Sequence, residues 1–220
     1  MTTLDVLISK IVGFEKPMPF VFNPWLDEDP MDVQPGVGAA GRVRRLRQHF
    51  DCPSPRLLLI GEAPGYAGCH YAGVPFTNER LLMMGMVPRV VMPAGTQMRL
   101  TTRRLPWSEP SATIMWSLLH EIAMAEHTVM WNAFPYHPYG KDDGVLSNRA
   151  PTQRELERTR PILLAVLEHF RAATVIAVGR VADKALRRLG VAATAVVRHP
   201  SMGGATEFRS QMQTFARLPF

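Results

Sequence analysis

Short apolar runs alternate with longer helical patterns, and this alternation constrains the fold more than any other feature of the chain. Four short runs are predicted to be strands: the apolar run 57–60, and the runs 128–131, 174–178 and 195–197, which are rich in β-branched residues. Helical patterns lie between them, at 112–125, 152–171 and 181–189. Because strands that alternate with helices build a parallel sheet covered on both faces, we predict a single-domain, three-layer α/β/α fold with a central four-stranded, mostly parallel sheet.

The longest helical pattern, 152–171, carries its own start signal. Thr152 and Glu155 have the spacing of a capping box, and Pro161 is expected to bend the helix. Its apolar face is predicted to consist of Leu156, Leu163, Leu164, Leu167 and Phe170.

Two segments fit the alternation less well, and we interpret both as additions to one domain of 220 residues. Residues 1–50 are predicted to form an N-terminal helical addition, and residues 87–110 form an insertion that contains Pro and Arg. A chain of this size is close to the usual size of one domain. We expect a monomer, because one such domain suffices for activity.

Cysteine usage and the N-terminus indicate a compartment. Cys52 and Cys69 are the only cysteines, which is too few for a disulfide framework or a four-thiolate cluster. Residues 1–10 lack the pattern of a signal peptide, and no apolar run is long enough to span a bilayer. We therefore expect a reduced, cytoplasmic protein with no membrane partner.

The charge balance favours a polyanionic partner. The chain has 25 Lys and Arg against 19 Asp and Glu, for a net charge of +6, and its pI is about 9.8. Such a balance is common among proteins that bind nucleic acid, although many basic proteins bind none. The motifs must decide between these classes.

Three loops follow predicted strands, at the edge of the sheet where ligands of α/β proteins bind. The first reads Gly-Glu-Ala-Pro-Gly at 61–65 and is followed by Gly-Val-Pro-Phe at 73–76; the second carries Asn132, and the last reads His-Pro-Ser at 199–201. Each has an ordinary alternative: a tight turn, an Asn that caps a turn, or a histidine satisfied within its loop.

In this order, the motifs resemble those of the uracil-DNA glycosylase superfamily over about 57–201. The resemblance is nearest to the bacterial and archaeal iron-sulfur branch, whose first motif also has the GE-x-PG form and whose later segments look like 148–152 (NRAPT) and 178–182 (VGRVA). That branch binds its cluster with four cysteines, whereas this chain has two. We therefore expect no cluster, no metal and no other cofactor.

The resemblance implies a DNA repair glycosylase that flips uracil out of DNA and hydrolyses its N-glycosidic bond, leaving an abasic site and free uracil. Phe76 would stack on the base, although a lone Phe is ordinarily core. Asn132 would read the uracil edge. His199, with the backbone amide of Ala63, would stabilise charge on uracil O2.

Glu62 is the candidate to orient water or stabilise the sugar cation, because the Asp of the best-known branch is replaced here by Ala63. Alternatively, Glu62 binds backbone amides and only shapes its loop. A bulky side chain must exclude the methyl group of thymine, and Tyr66 is the first candidate for this role. His70 and Tyr71 are further candidates.

The loop after His-Pro-Ser implies contacts with the DNA strand. Met202 would fill the gap left by the flipped base, with Ser201 and Arg209 nearby. Three arginines of the predicted insertion are further candidates for phosphate contacts: Arg99, Arg103 and Arg104.

Two other functions remain open at this stage. A glycosylase of the same fold could act on hypoxanthine or xanthine, and a related protein could bind uracil or damaged DNA without cutting it. The presence together of Glu62, Asn132 and His199 favours an enzyme. The sequence lacks the spacing of a metal site, a serine hydrolase elbow around Ser201 and a dinucleotide-binding glycine motif.

Overall fold

The computed structural model of the chain describes residues 3–14, 18–33, 38–92 and 99–217. Parts of both predicted additions, at 1–2, 15–17, 34–37 and 93–98, lie outside the described residues. In chain order the main elements are α1 (Thr3–Val12), β1 (Val21–Phe22), α2 (Ala39–Phe50), β2 (Leu57–Gly61), α3 (Cys69–Ala72), α4 (Glu79–Met83), α5 (Pro110–Glu121), β3 (Thr128–Asn132), β4 (His137–Pro138), α6 (Gln153–His169), β5 (Thr174–Val178), α7 (Arg180–Arg188), β6 (Ala195–Val197) and α8 (Ala205–Gln213).

The central sheet has four strands in the order β3-β2-β5-β6, and every neighbouring pair is parallel. This confirms the predicted α/β fold. Two strands run one residue further than predicted, since β2 includes Gly61 and β3 includes Asn132. These two residues are paired on adjacent strands, so two of the predicted loops leave the sheet side by side.

Alternate residues of each strand enter one of two apolar cores, which explains why the strands are apolar throughout. Leu58 and Ile60 of β2 pack with α1, α2, α6 and α7, whereas Leu57 and Leu59 pack with α5 and α8. The sheet is therefore the middle layer of three.

Helix α6 begins with the predicted capping box. The Thr152 hydroxyl accepts from Glu155 N–H at 3.3 Å, and the Glu155 carboxylate accepts from Thr152 N–H at 2.7 Å. The predicted apolar face is wrong in part, because Leu164 is 37% exposed. The buried stripe instead includes Glu155, whose carboxylate pairs with Arg149 at 2.6 Å and therefore tolerates burial.

The N-terminal segment contains the expected helices, α1 and α2, but it is not only helical. Strand β1 pairs antiparallel with β4, which joins this segment to the chain beyond β3. Leu46 and Phe50 of α2 belong to the main core. The segment is thus part of the packed domain.

None of the helices in the described ranges is long and apolar enough to cross a membrane.

Candidate active site

A cleft of about 970 Å³ lies at the carboxyl ends of the strands, where the three motif loops meet. It is open to solvent on one side and is lined by both polar and apolar groups. The residues from the predicted site that line it are Glu62, Ala63, Phe76, Asn132, His199 and Ser201. The structure therefore brings together the residues assigned to the base and to the chemistry. The lining does not include Tyr66, Met202, Arg209 or the further candidates His70, Tyr71, Arg99, Arg103 and Arg104.

Gly61 allows two of these side chains to converge. A β-carbon at position 61 would overlap the ring of Phe76 and would lie 2.6 Å from Oδ1 of Asn132. Phe76 itself has a left-handed backbone, with φ of 50°. This conformation is costly for a residue with a side chain, so the surrounding packing holds the Phe76 ring in the cleft.

Asn132 ends β3 with its side chain facing the cleft, and the residue is only 3% exposed. Within the described ranges, no group forms a hydrogen bond with its carboxamide. Its polar atoms are not among the fully enclosed, unpartnered atoms of the described residues, so they remain in contact with solvent in the cleft. The Asn132 amide is therefore a preformed donor and acceptor for a ligand.

His199 leaves β6 and its ring lies 6.1 Å from that of Phe76. Nδ1 of His199 accepts the backbone N–H of Ser201 at 3.2 Å, and the Ser201 hydroxyl lies 2.7 Å from the same nitrogen. Because a backbone N–H can only donate, Nδ1 must be unprotonated, and the neutral ring carries its proton on Nε2. Burial, with the charge of Arg198, lowers the pKa of His199, which favours this neutral form.

Glu62 is half-buried in the cleft, and burial raises the pKa of its carboxyl group. The loop around it is fixed by its backbone: Gly61 C=O accepts from Ala133 N–H at 2.8 Å, and Glu62 C=O accepts from Phe134 N–H at 2.9 Å. In the part of the chain that the structure describes, no donor binds the Glu62 carboxylate. The carboxylate is therefore free for a ligand, and other contacts shape the loop.

Three residues proposed to exclude thymine lie outside the cleft lining. Tyr66 packs edge-on against Trp107. His70 and Tyr71 are fully buried and bind Asp29, with His70 Nε2 at 3.0 Å and the Tyr71 hydroxyl at 3.4 Å. The assignment of His70 and Tyr71 is wrong, because their polar atoms join α3 to the N-terminal segment instead of reaching a ligand.

The proposed DNA contacts differ in their surroundings. Met202 is 91% exposed and adopts a left-handed backbone with φ of 51°. Arg209 does not line the cleft and pairs with Glu121 at 3.2 Å. Arg99 pairs at 2.9 Å with Glu79, a fully buried carboxylate. Arg99 therefore supports its own loop and is not an available phosphate ligand.

The cleft also contains residues to which sequence reasoning assigned no role, although Asn148 and Arg180 lie within the motif segments 148–152 and 178–182. Asn148 accepts from Tyr66 N–H at 2.9 Å, and burial raises the pKa of Glu109. Arg180 and Arg198 bring exposed cations to the same cleft. Arg180 lies two residues after β5, and Arg198 stands between the end of β6 and His199. Their position at strand ends was the signal that could have identified them.

The two cysteines do not fit an iron-sulfur cluster. Both are free thiols; Cys69 is buried at the cleft, and Cys52 lies 3.4 Å from the carbonyl oxygen of Glu126. Two thiols supply half of the ligands that such a cluster needs. Among the described residues, no group of three or more His, Cys, Asp or Glu is placed to hold a metal ion.

Comparison with known proteins assigns the chain to a family. The crystal structure of wild-type SMUG2 from Pedobacter heparinus matches with a TM-score of 0.56 at 14% identity, covering 98% of this chain and 94% of that one. At this identity the match shows the fold alone. A search of curated protein sequences gave no match. The sequence profile of the Uracil DNA glycosylase superfamily matches residues 48–217, so the chain belongs to that superfamily and is a DNA glycosylase.

Proposed function

We propose that this glycosylase removes uracil from DNA by hydrolysis and leaves an abasic site. The observation that carries the proposal is the unpartnered carboxamide of Asn132, buried beside the Phe76 ring in the cleft that also holds His199. A flipped base needs a flat surface and polar partners at its edge. These three residues offer both.

Asn132 supports the choice of uracil over cytosine. Its Oδ1 can accept from uracil N3–H while its Nδ2 donates to O4, whereas cytosine presents an acceptor at N3 and a donor at N4. The wrong base would leave buried groups unpaired, at about 1–3 kcal/mol for each.

The cleft supports extrusion of a whole nucleotide. Its volume of about 970 Å³ leaves room for the base and its sugar, and stacking on Phe76 would offset the unstacking cost of a few kcal/mol. Met202, which is almost fully exposed three residues after His199, is suited to fill the gap in the stack.

Departure of the base places negative charge on uracil O2. The Nε2–H of neutral His199 is a suitable donor to this oxygen, and the backbone N–H of Ala63 is a second one, since the described residues offer it no acceptor. Such preorganised donors lower the barrier because they need not reorient as charge develops.

Glu62 supports the other half of the reaction. Its free carboxylate can stabilise the positive charge on the sugar and orient a water molecule toward C1′. Bifunctional enzymes that go on to cut the strand use an amine nucleophile. Among the described residues, no lysine lines the cleft, which supports a monofunctional glycosylase that binds uracil-containing DNA and releases free uracil.

A second candidate is a glycosylase for hypoxanthine or xanthine. The size of the cleft favours it, because about 970 Å³ exceeds the needs of a pyrimidine, and Tyr66 does not narrow the lining. A protein that binds DNA without cutting is less consistent with the free Glu62 carboxylate and the available Nε2–H of His199.

Matched oligonucleotides would test these candidates. Duplexes and single strands carrying uracil, hypoxanthine, xanthine or a thymine mismatch are incubated with the enzyme, and alkali then cuts any abasic site. Breaks with uracil alone support the main proposal, whereas breaks mainly at purine lesions support the second candidate. Tight binding without abasic product would overturn both.

A further inference from the structure

The loop formed by residues 99–107 is built around one buried carboxylate, that of Glu79. Glu79 accepts from Arg99 Nε at 2.9 Å, from the N–H groups of Leu100 and Thr101 at 2.8 and 3.1 Å, from the Thr101 hydroxyl at 2.8 Å and from Trp107 N–H at 3.0 Å. Both ends of the segment 99–107 are thereby bound to the same side chain. Residues 102–106 project between these fixed ends.

A second set of contacts holds this segment in place. Thr102 N–H donates to the Met31 carbonyl at 2.8 Å, and Thr101 forms an antiparallel bridge with Asp32. Arg99 also donates to the carbonyl oxygens of Arg103 and Arg104. The backbone of the segment is therefore well anchored although its tip faces solvent.

The tip displays two cations and an apolar side chain. Arg103 and Arg104 are exposed, and neither has a carboxylate partner among the described residues. The guanidinium of Arg103 lies 4.1 Å from the ring centre of Trp107, which orients it by a cation–π contact. Leu105 is 62% exposed directly after them. We call Arg103, Arg104 and Leu105 the arginine tip.

The arginine tip lies beside the cleft. The Trp107 ring is 5.6 Å from that of Tyr66, which follows the first motif loop, and Glu109 lines the cleft itself. Met202 belongs to the loop after β6, and β5 separates β6 from β2 in the sheet. Trp107, which Arg103 contacts, is therefore next to the loop after β2, whereas Met202 follows β6, two strands away in the sheet.

We propose that the arginine tip is a second DNA-binding surface, at which Arg103 and Arg104 bind phosphates of the duplex next to the flipped nucleotide and Leu105 lies against the groove. The inference rests on the chain's activity on DNA but not on the identity of the excised base. Guanidinium groups without a carboxylate partner match phosphate charge and geometry. The Arg103 group is also oriented, by the Trp107 ring and by a hydrogen bond of 3.2 Å that it donates to the Leu105 carbonyl oxygen. An exposed leucine directly after them, such as Leu105, matches the apolar edge of sugars and bases.

The number of phosphate contacts can be measured from the salt dependence of binding. Arg103→Ala/Arg104→Ala is compared with the wild type on a duplex that contains a tetrahydrofuran abasic analogue, by fluorescence anisotropy between 50 and 200 mM salt, the range over which phosphate contacts are resolved. We expect Kd to rise about tenfold and the slope of log Kd against log salt to fall by about 2. An unchanged slope overturns the proposal.

Arg160→Ala/Arg171→Ala is the matched control, because both side chains are on or just after α6, outside the cleft lining, and remove the same charge. This control should keep the wild-type slope of log Kd against log salt. If its slope fell as much as that of Arg103→Ala/Arg104→Ala, net charge alone would explain the effect. Arg104→Ala by itself leaves the contact of Arg103 with Trp107 intact, so a change in this variant is not caused by loss of that contact. It should lower the slope by about 1.

Leu105→Ser tests whether Leu105 contributes to the binding of duplex DNA and not of single strands. The proposal expects weaker binding of the abasic duplex and unchanged binding of a single strand with the same lesion; equal losses on both would overturn the role of Leu105. A wild type that neither binds nor excises would refute the proposed function instead. A fully active wild type with variants of unchanged slope and Kd would refute only the arginine tip.

Discussion

Gly61 and Phe76 lie so close together that a β-carbon on Gly61 would overlap Cζ of the Phe76 ring, and it would also lie 2.6 Å from Oδ1 of Asn132. Gly61→Ala should therefore displace the base-stacking ring and the base-reading amide together. We expect a loss of about 100-fold in single-turnover excision and of about 1–3 kcal/mol in stability. Oligonucleotide cleavage and urea unfolding measure the two effects.

Gly65→Ala is the control for that variant, because its β-carbon would meet Asn148 at an ordinary 3.6 Å. It should leave the free energy of unfolding near the wild-type value. If Gly61→Ala excised uracil at the wild-type rate, the close approach of Phe76 and Asn132 would have no part in the reaction.

Asn132→Asp changes the pattern of donors and acceptors at the edge of the base. The carboxylate cannot donate to uracil O4, so we expect excision of uracil to fall by about 100-fold and the preference for uracil over cytosine to fall with it. The measurement is kcat/KM on duplexes that differ only in the target base. Unchanged selectivity would count against the assignment of Asn132.

The tautomer of His199 depends on the backbone of Ser201 and not on its hydroxyl alone. Ser201→Ala keeps the backbone N–H that donates to Nδ1, so it should cost less than about tenfold, whereas His199→Ala should cost about 100- to 1,000-fold in kcat. Nitrogen NMR of labelled histidine at pH 7 should find the proton on Nε2. A proton on Nδ1 would contradict the arrangement.

The acid side of the pH profile should report Glu62. Burial raises the pKa of Glu62 above its usual 4.5, and the proposed role needs the ionised form. The excision rate should therefore fall with decreasing pH at values above 4.5. Glu62→Gln should excise slowly, and its rate should not fall at acid pH in this way. If the variant showed the same fall, the titration would belong to another group, such as His199.

The sequence was sufficient to find the cleft because its residues directly follow strands. Once 57–60, 128–131 and 195–197 were identified as strands of a parallel sheet, the side chains after them had to meet at one edge. Glu62, Asn132 and His199 line one cleft for this reason. The local sequence predicts the strands and their direction, and these determine where the site lies.

Residues between the motifs were beyond sequence reasoning because their direction depends on distant partners. His70 and Tyr71 turn toward Asp29, which is about forty residues away and carries no recognisable motif. The buried stripe of α6 was predicted incompletely for a related reason, because the Glu155–Arg149 pair lets a charged residue occupy it. A hydrophobic pattern does not record such pairs.

Glu79 should make stability depend on pH. Burial alone would raise its pKa, but hydrogen bonds from Arg99, Trp107, Leu100 and Thr101 outweigh burial and lower it below the usual 4.5. A group with a lowered pKa in the folded state contributes stability above its unfolded pKa and loses this contribution as pH falls through the folded pKa. The stabilisation by Glu79 should therefore be complete at pH 7 and should shrink below about pH 4.5.

Glu79→Gln tests this by removing the charge while it keeps the shape. We expect it to unfold with roughly 2 kcal/mol less free energy than the wild type at pH 7, and the gap should narrow as the pH is lowered through 4.5. Urea titrations from pH 7 to pH 3.5 measure both chains. Glu168→Gln, which removes a carboxylate from an exposed pair with Arg171, should change stability little at any pH. A gap between wild type and Glu79→Gln that stays constant with pH would mean that the Glu79 loop depends on packing and not on the charge.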